Sequence, residues 1–166
     1  MPEKQTIERA RQDAREGKSP STQAGEFVRE EIHHIREGKH GARSTQQAIA
    51  IGLSKARRAG VKLKTPKKGT VSEETRRAAA RDTRKAKSGG RKKTSARRSR
   101  AMLKRLKREG RSAASPQALA KQARSAARRR SAASRSASAK KAARTKGPAK
   151  RRAAAKKAAR TRARRR

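Results

Sequence analysis

Several residue types are scarce in this chain of 166 residues, and each shortage removes a class of site. Cysteine is absent, which excludes disulfides, thiolate zinc sites and cysteine nucleophiles and agrees with a reducing cytoplasm. There is no tryptophan or tyrosine and a single phenylalanine, Phe27, so aromatic stacking of single-stranded bases is not available. The longest run of Ile, Leu, Ala and Gly is 48–53, so neither a secretory signal nor a membrane-spanning segment is expected.

Acidic residues are also few. The chain has 53 Lys and Arg against 12 Asp and Glu, which gives a formal net charge of +41. So much charge of one sign repels itself unless a polyanion neutralises it. Hydrophobic residues make up 30% of the chain, and many of them are alanine, so most of the chain buries too little apolar surface to offset its ordering entropy. One small folded part is therefore expected.

The charge is unevenly distributed along the chain. Residues 1–64 carry a net charge of +6, whereas residues 65–166 carry +35. Eleven of the Ile, Leu, Val, Met and Phe residues precede this boundary and only five follow it, so any core should be N-terminal. The sequence predicts a helical module at 1–64, a basic linker with a short helix at 65–95, basic Ala-rich helical segments at 96–135 and a low-complexity basic tail at 136–166.

The predicted fold class is all-α: a small N-terminal helical module with a low-complexity basic tail that is disordered or marginally helical. Three helices are expected in the module, each ended by a glycine that can adopt the left-handed conformation. These glycines are Gly17, Gly38 and Gly60. Ser19-Pro20 indicates the start of the second helix, and Ser44-x-x-Gln47 is a capping box for the third.

The third helix has two apolar sides. One is formed by Ile49, Leu53 and Ala56, and the other by Ala48, Ile51, Gly52 and Ala59. Because glycine inside a helix costs about 1 kcal/mol relative to alanine, another helix is expected to approach closely at Gly52. One face should pack on the second helix, which leaves the other for the first helix or for a partner chain, such as a second copy in a homodimer.

Weaker, Ala-rich helices are predicted after the boundary. One should run from Ser72 to Ala86 and end before Gly89-Gly90, a second should span 96–109, and a third should open at Ser115-Pro116. Gly147-Pro148 is expected to form a hinge between two helical stretches of the tail.

The basic region predicts duplex DNA as the partner. Residues 111–166 contain 21 Lys and Arg and no acid, and phosphate contacts by such cations release condensed counterions without reading bases. Arginine can also enter a narrow minor groove. The residues predicted to bind nucleic acid are the cations Arg97, Arg98, Arg100, Lys104, Arg105, Arg108, Arg124, Arg128, Arg129, Arg130, Lys140, Lys141, Arg144, Lys150, Arg151, Arg152, Lys156, Lys157, Arg160, Arg164, Arg165 and Arg166.

Other site classes are less well supported by the sequence. RNA is an alternative partner because the same electrostatics apply, whereas the tail lacks the apolar face that a membrane-surface helix buries. The second and third helices could form a helix-turn-helix reader through Arg43, Gln46 and Gln47, although a simple helical hairpin is the more common arrangement. No combination of nucleophile, base and orienting group is evident, so the chain is not expected to be an enzyme or to need a cofactor.

The three histidines are interpreted as partly exposed surface residues. His33 and His34 are adjacent on a helix near Glu30 and Glu31, and they point about 100° apart. There is no H-E-x-x-H pattern, and one carboxylate and imidazole pair is too few for a closed zinc site. No metal site is therefore predicted, and His40 is assigned to an interhelix loop.

Three strings of residues carry a resemblance to a known family. They are 22–28 (TQAGEFV), 38–42 (GKHGA) and 47–60 (QAIAIGLSKARRAG). Residues 1–64 resemble a small bacterial domain family without an assigned activity, so the resemblance implies a fold but no function. The tail is similar in composition to the basic tails of linker histones and their bacterial counterparts, which implies chromosome binding and compaction.

Together these observations predict a cytoplasmic, nucleoid-associated protein that binds and compacts DNA without sequence preference. The alternative is an interaction protein, associated with RNA or ribosomes, whose N-terminal helices recruit a protein partner.

Overall fold

The computed structural model of the protein describes residues 2–88 and 95–164. Within these ranges all regular secondary structure is helical, which confirms the predicted all-α class. The helices are α1 (Lys4–Arg15), α2 (Pro20–Arg36), α3 (Thr45–Arg58), α4 (Glu73–Lys87), α5 (Ala96–Arg108), α6 (Pro116–Arg128) and α7 (Ala132–Ala163), with a 3-10 turn at Ser112–Ala114. The chain divides into two compact units, Met1–Gln122 and Ala123–Arg166.

The helix ends of the module follow local sequence signals. The three predicted terminal glycines all have positive φ, at 69°, 79° and 95° in chain order. At the start of α3, the Ser44 hydroxyl accepts the Gln47 N–H at 3.1 Å. The Gln47 side chain accepts the backbone N–H of Arg43 at 2.8 Å, one residue before the position that a capping box uses. Pro20 is the first residue of α2, but Ser19 forms no side-chain cap.

Helix α2 packs against α1 and α3 and buries apolar side chains in two clusters. Phe27 and Ile35 are the largest apolar side chains that are fully buried. The first cluster contains Ala10, Ala24, Phe27 and Ala56. The second contains Ile32, Ile35, Ala42, Ala48, Ala113 and Ala114.

The prediction that the core lies wholly before residue 65 is wrong. Ala113 and Ala114 are 6% and 0% exposed and belong to the second cluster. Their backbone is also bonded to the module, because the Thr45 hydroxyl donates to the Ala113 carbonyl at 2.7 Å and Arg36 Nε donates to the Ala114 carbonyl at 2.9 Å. Small residues in a basic, low-complexity stretch gave no periodic signal for this role, so the sequence pattern did not reveal it.

The buried stripe of α3 combines parts of both predicted faces. Ala48, Gly52 and Ala56 are buried, whereas Ile49, Ile51 and Leu53 are only partly buried and Ala59 is exposed. A Cβ at Gly52 would lie 2.7 Å from the Cα of Val28, which confirms the predicted close approach of a neighbouring helix. The predicted division of the helix into two separate faces is wrong because the smallest residues, rather than the largest, face α2.

Helix α4 packs on α3 through one buried carboxylate. Asp82 accepts the Ser54 hydroxyl at 2.6 Å and Arg58 Nε at 2.9 Å. The helix begins after Ser72, whose hydroxyl accepts the Thr75 N–H as a cap. Its predicted end at Gly89-Gly90 lies outside the described residues, and the structure ends α4 at Lys87.

The second unit contains the end of α6 and all of α7. Helix α7 consists of two helical segments joined at Gly147, which has φ 67° and ψ 168° and precedes Pro148. The predicted interruption at this dipeptide is confirmed. The described part of the tail is helical, so of the two predicted states the structure has the helical one.

Candidate nucleic-acid interface

The structure describes twenty of the twenty-two predicted nucleic-acid-binding cations, and all twenty are exposed. They lie on α5, on α6 and the two residues after it, and on α7 and the residue after it. Arg165 and Arg166 lie outside the described residues.

None of the twenty described cations has a carboxylate partner. In the described ranges, every ion pair between a Lys or Arg and an acid involves a cation that precedes residue 78. The only acid among residues 95–164 is Glu109. Within this part of the structure the positive charge is therefore compensated only by solvent ions, which is the condition that favours release of counterions to a polyanion.

Helix α7 presents cations in all directions. It carries twelve Lys and Arg and no acid over its 32 residues. At 100° per residue, the consecutive cations Lys150, Arg151 and Arg152 already point to three sides of the second segment. A helix that is charged all round cannot rest on an apolar surface along any side, but it can meet phosphates on several sides at once.

Two arginines near the start of α7 bind the local backbone instead of facing solvent freely. Arg130 Nη2 donates to the carbonyl oxygen and hydroxyl of Ser134 at 3.0 and 3.1 Å, and also to the Ser138 hydroxyl. Arg135, which was not predicted as a binding residue, donates to the carbonyls of Ala127 and Arg130. The predicted set also omitted Lys146 and Arg162, which are exposed on α7 like their predicted neighbours.

The basic residues at the end of α3 serve the fold. Lys55 Nζ lies 2.6 Å from Glu31 Oε2 and 3.4 Å from Glu30 Oε1. Arg57 is 8% exposed, and burial lowers the pKa of its guanidinium. Arg58 Nε lies 2.9 Å from Asp82 Oδ1, so all three cations are either paired with an acid or buried.

One of the three residues that a helix-turn-helix would use to contact bases is engaged within the loop. Gln47 accepts a hydrogen bond from the Arg43 backbone, so its amide oxygen is used within the loop. Arg43 and Gln46 are exposed. Eight residues separate α2 from α3, whereas the motif joins its helices by a turn of three or four residues.

Among the described residues, two of the three histidines belong to a group of side chains that could hold a metal ion. All three histidines are at least partly exposed, as the sequence interpretation expected. Glu31, His34 and His40 each offer a ligand atom, and these atoms lie within 4.8 Å of one another. The His34 and His40 side chains are only 13% and 11% exposed, whereas His33 is exposed. Sequence reasoning missed this group because the loop path that brings His40 back to α2 has no local signature.

Contacts between acidic and basic side chains surround this group. His40 Nε2 lies 3.0 Å from Glu31 Oε1, and His34 Nε2 lies 2.8 Å from Glu3 Oε1. Hydrogen bonds with His34 and then Lys39 lower the pKa of Glu3, and the bond with Glu37 raises the pKa of Lys39. The N-terminal segment, α2 and the following loop are thereby joined by polar contacts.

None of the described helices combines the length and the apolar character needed to cross a membrane.

Comparison with known proteins finds a family that part of the chain is similar to. Residues 19–69 match a family of unknown function, DUF6496. The matched region contains α2, α3 and the segment that follows α3, so it supports the predicted small helical domain over these residues. No curated protein and no solved structure matches the chain.

Proposed function

We propose that the protein binds duplex DNA without sequence preference and compacts it, as a non-enzymatic, nucleoid-associated protein. The observation that carries the proposal is the set of exposed cations on residues 95–164, which have no carboxylate partners within the described structure. Lysine and arginine contacts to phosphates position a protein on DNA but carry no direct sequence information.

The state of α7 before binding is part of this proposal. Like charges at i and i+4, such as Lys140 with Arg144 and Arg152 with Lys156, oppose the helix by about 0.2–0.5 kcal/mol per pair. Alanine, the best helix former, acts in the opposite direction. The tail is therefore marginally helical or disordered in free solution and becomes fully helical when phosphates neutralise it.

Duplex DNA is preferred over single-stranded RNA because of the missing aromatic residues. The only aromatic ring of the chain other than histidine is Phe27, which is 1% exposed in the core and cannot stack on a base. Exposed cations arranged all round a helix suit a groove bordered by two phosphate strands.

The salt dependence of DNA binding is the test. We expect the full chain to bind two unrelated duplexes almost equally, with log affinity falling linearly with log salt at about 0.9 per phosphate contacted. Changing Lys150, Arg151 and Arg152 to Gln should flatten the slope by about 2.7. The matched control changes Lys4, Arg11 and Arg15 of α1 to Gln, which removes the same charge from the module and should leave the slope unchanged.

If both triple variants flatten the salt slope equally, the module contacts phosphates as much as α7 does. That result would contradict the assignment of DNA binding to the basic region. A preference for one duplex above about a hundredfold would show that the protein reads bases. A difference of that size is what one or more mismatched base pairs cost a sequence-specific protein, at about 1–3 kcal/mol each. Tighter binding to duplex RNA than to duplex DNA of the same length would favour the RNA-associated alternative.

One observation favours a variant of that alternative, in which α5 rather than the N-terminal helices recruits a protein partner. Met102 and Leu103 of α5 are 58% and 45% exposed. Retention of a specific protein partner on the full chain after nuclease treatment, lost on changing these two residues to Gln, would support it.

A further inference from the structure

We infer that Glu31, His34 and His40 form a binding site for one divalent transition-metal ion of the zinc type. The inference is independent of DNA binding, because all three residues belong to the first unit and none is among the proposed phosphate contacts.

The ligand set has the composition and spacing of a zinc site with an open position. Glu31 and His34 are three residues apart in α2, so they lie on one face of the helix, and His40 approaches from the following loop. Two imidazoles and one carboxylate, with water in the fourth position, are a known ligand set for Zn²⁺. With bonds of about 2.0–2.1 Å, the ligand atoms around a tetrahedral ion lie roughly 3.4 Å apart. The ligand atoms here lie within 4.8 Å of one another, so binding requires side-chain movements of about 1 Å.

Each of the three ligands is held by an outer partner. His34 Nε2 lies 2.8 Å from the Glu3 carboxylate, and His40 Nδ1 lies 3.1 Å from the Gly41 carbonyl. Glu31 Oε2 lies 2.6 Å from Lys55 Nζ. Metal-ligating histidines almost always donate their second N–H to such an oxygen, and ligating carboxylates are themselves hydrogen-bonded.

When the rings are neutral, these contacts leave a lone pair on each ring for a metal. Carbonyl and ionised carboxylate oxygens only accept hydrogen bonds, so the nitrogens that face them, Nε2 of His34 and Nδ1 of His40, carry the proton. In a neutral ring the other nitrogen is then unprotonated. For His40 that nitrogen is Nε2, which faces Glu31 Oε1 at 3.0 Å, so either a proton on Nε2 or a metal ion must lie between these two atoms.

The local charge also favours a cation. Glu30 and Glu31 are 4% and 1% exposed, and both lie beside the ammonium of Lys55. Glu30 also accepts the Glu3 N–H, and Glu31 faces the His40 ring. Two buried carboxylates with one cation leave a net negative charge in a region of low dielectric, which is costly unless a further positive charge is present.

Binding of Co²⁺, followed by displacement with Zn²⁺, tests the site on the full, tag-free, metal-stripped chain. We expect one Co²⁺ per chain with the visible absorption of a tetrahedral ion, and we expect Zn²⁺ to remove it. His34→Gln and His40→Gln should each weaken binding by more than about tenfold. His33→Gln is the matched control, because this exposed neighbour in the same helix should bind Co²⁺ like the wild type.

The wild-type chain should also unfold at a higher temperature with Zn²⁺ than without it, since an ion that binds only the folded state stabilises it. Circular dichroism without metal shows whether each variant folds; if His40→Gln does not, His34→Gln decides the result. Absence of the Co²⁺ absorption in the wild type, unchanged binding by His34→Gln, or equal weakening by His33→Gln would overturn the inference and leave His40 as an imidazolium paired with Glu31.

Discussion

At the scale of single residues, Gly41 shows how a loop position depends on a distant segment. Its N–H donates to the Leu106 carbonyl at 2.9 Å, and the Ala42 N–H donates to the Gly110 carbonyl at 3.1 Å. A Cβ at Gly41 would overlap the Glu109 carbonyl group and lie 2.7 Å from the Gly110 carbonyl oxygen. The glycine is therefore required by the close approach of two backbones, since its φ is not in the left-handed region.

Gly41→Ala should accordingly destabilise the first unit. Overpacking against backbone typically costs about 1–3 kcal/mol, because the loop and residues 106–110 cannot both keep their positions. Chemical denaturation followed by circular dichroism measures the free energy of unfolding. The control is Gly25→Ala in α2, where nothing lies within 4 Å of the new Cβ, so we expect stabilisation by about 0.5–1 kcal/mol. Equal effects of the two substitutions would contradict the close approach at Gly41.

The contrast between Gly41 and Gly52 also shows what a sequence can reveal at this scale. Gly52 lies inside a helical pattern, where glycine lowers helix stability, so its presence there indicated close packing against a neighbouring helix. Gly41 lies in a loop, where glycine is ordinary, and its partner is 68 residues away. His40 gave no signal for the same reason, because its distance from Glu31 and His34 depends on the loop path and not on helical periodicity.

At the scale of elements, helix starts and ends were the most predictable features because their causes are local. The serine caps of α3 and α4 and the terminal glycines act within three or four residues. The buried side of α3 was not predictable from hydrophobicity, because α2 packs on its small residues and leaves Ile49 and Ile51 partly exposed. Tertiary packing decided the face, and apolar periodicity alone did not.

The interruption of α7 allows a test of how strongly its sequence favours helix. Gly147 has positive φ and Pro148 has no N–H to donate, and together they cost a helix about 4 kcal/mol relative to alanine. The double variant Gly147→Ala, Pro148→Ala should join the two segments and increase the helical circular dichroism signal of the full chain.

Polyphosphate, a polyanion transparent in the far ultraviolet, should increase that signal in both the wild type and the double variant. It neutralises the like-charge pairs that oppose the helix in free solution. A signal unchanged by polyphosphate in both chains would show that α7 is already fully formed without phosphates. In that case the proposed coupling between folding and binding would be wrong.

At the scale of the whole molecule, the acidic residues are confined to one of the two units. All 12 acids belong to Met1–Gln122, where several hold helices together, as Asp82 holds α4 to α3. Ala123–Arg166 has 19 cations and no acid. The first unit can therefore fold by internal charge pairing and apolar burial, whereas the second has only helix propensity and an external polyanion to stabilise it.

This division predicts where the chain can be shortened without loss of the module. A chain ended after Gln122 keeps Ala113 and Ala114 over Ile32 and Ile35, and it should unfold cooperatively at the temperature at which the module unfolds in the full chain. A chain ended after Lys64 loses that cover together with α4, and re-exposure of a buried isoleucine alone costs about 1.5–3 kcal/mol. A unit of 64 residues is only marginally stable. We therefore expect the chain ended after Lys64 to melt at a lower temperature or not to fold.

Thermal unfolding of the two shortened chains beside the full chain measures this difference. Full-chain stability in residues 1–64 alone would show that the contacts of Ala113, Ala114 and Asp82 contribute nothing. The folded module would then end at the charge boundary between residues 64 and 65. The opposite outcome, with loss at 64 and retention at 122, would show that part of the basic region is structural.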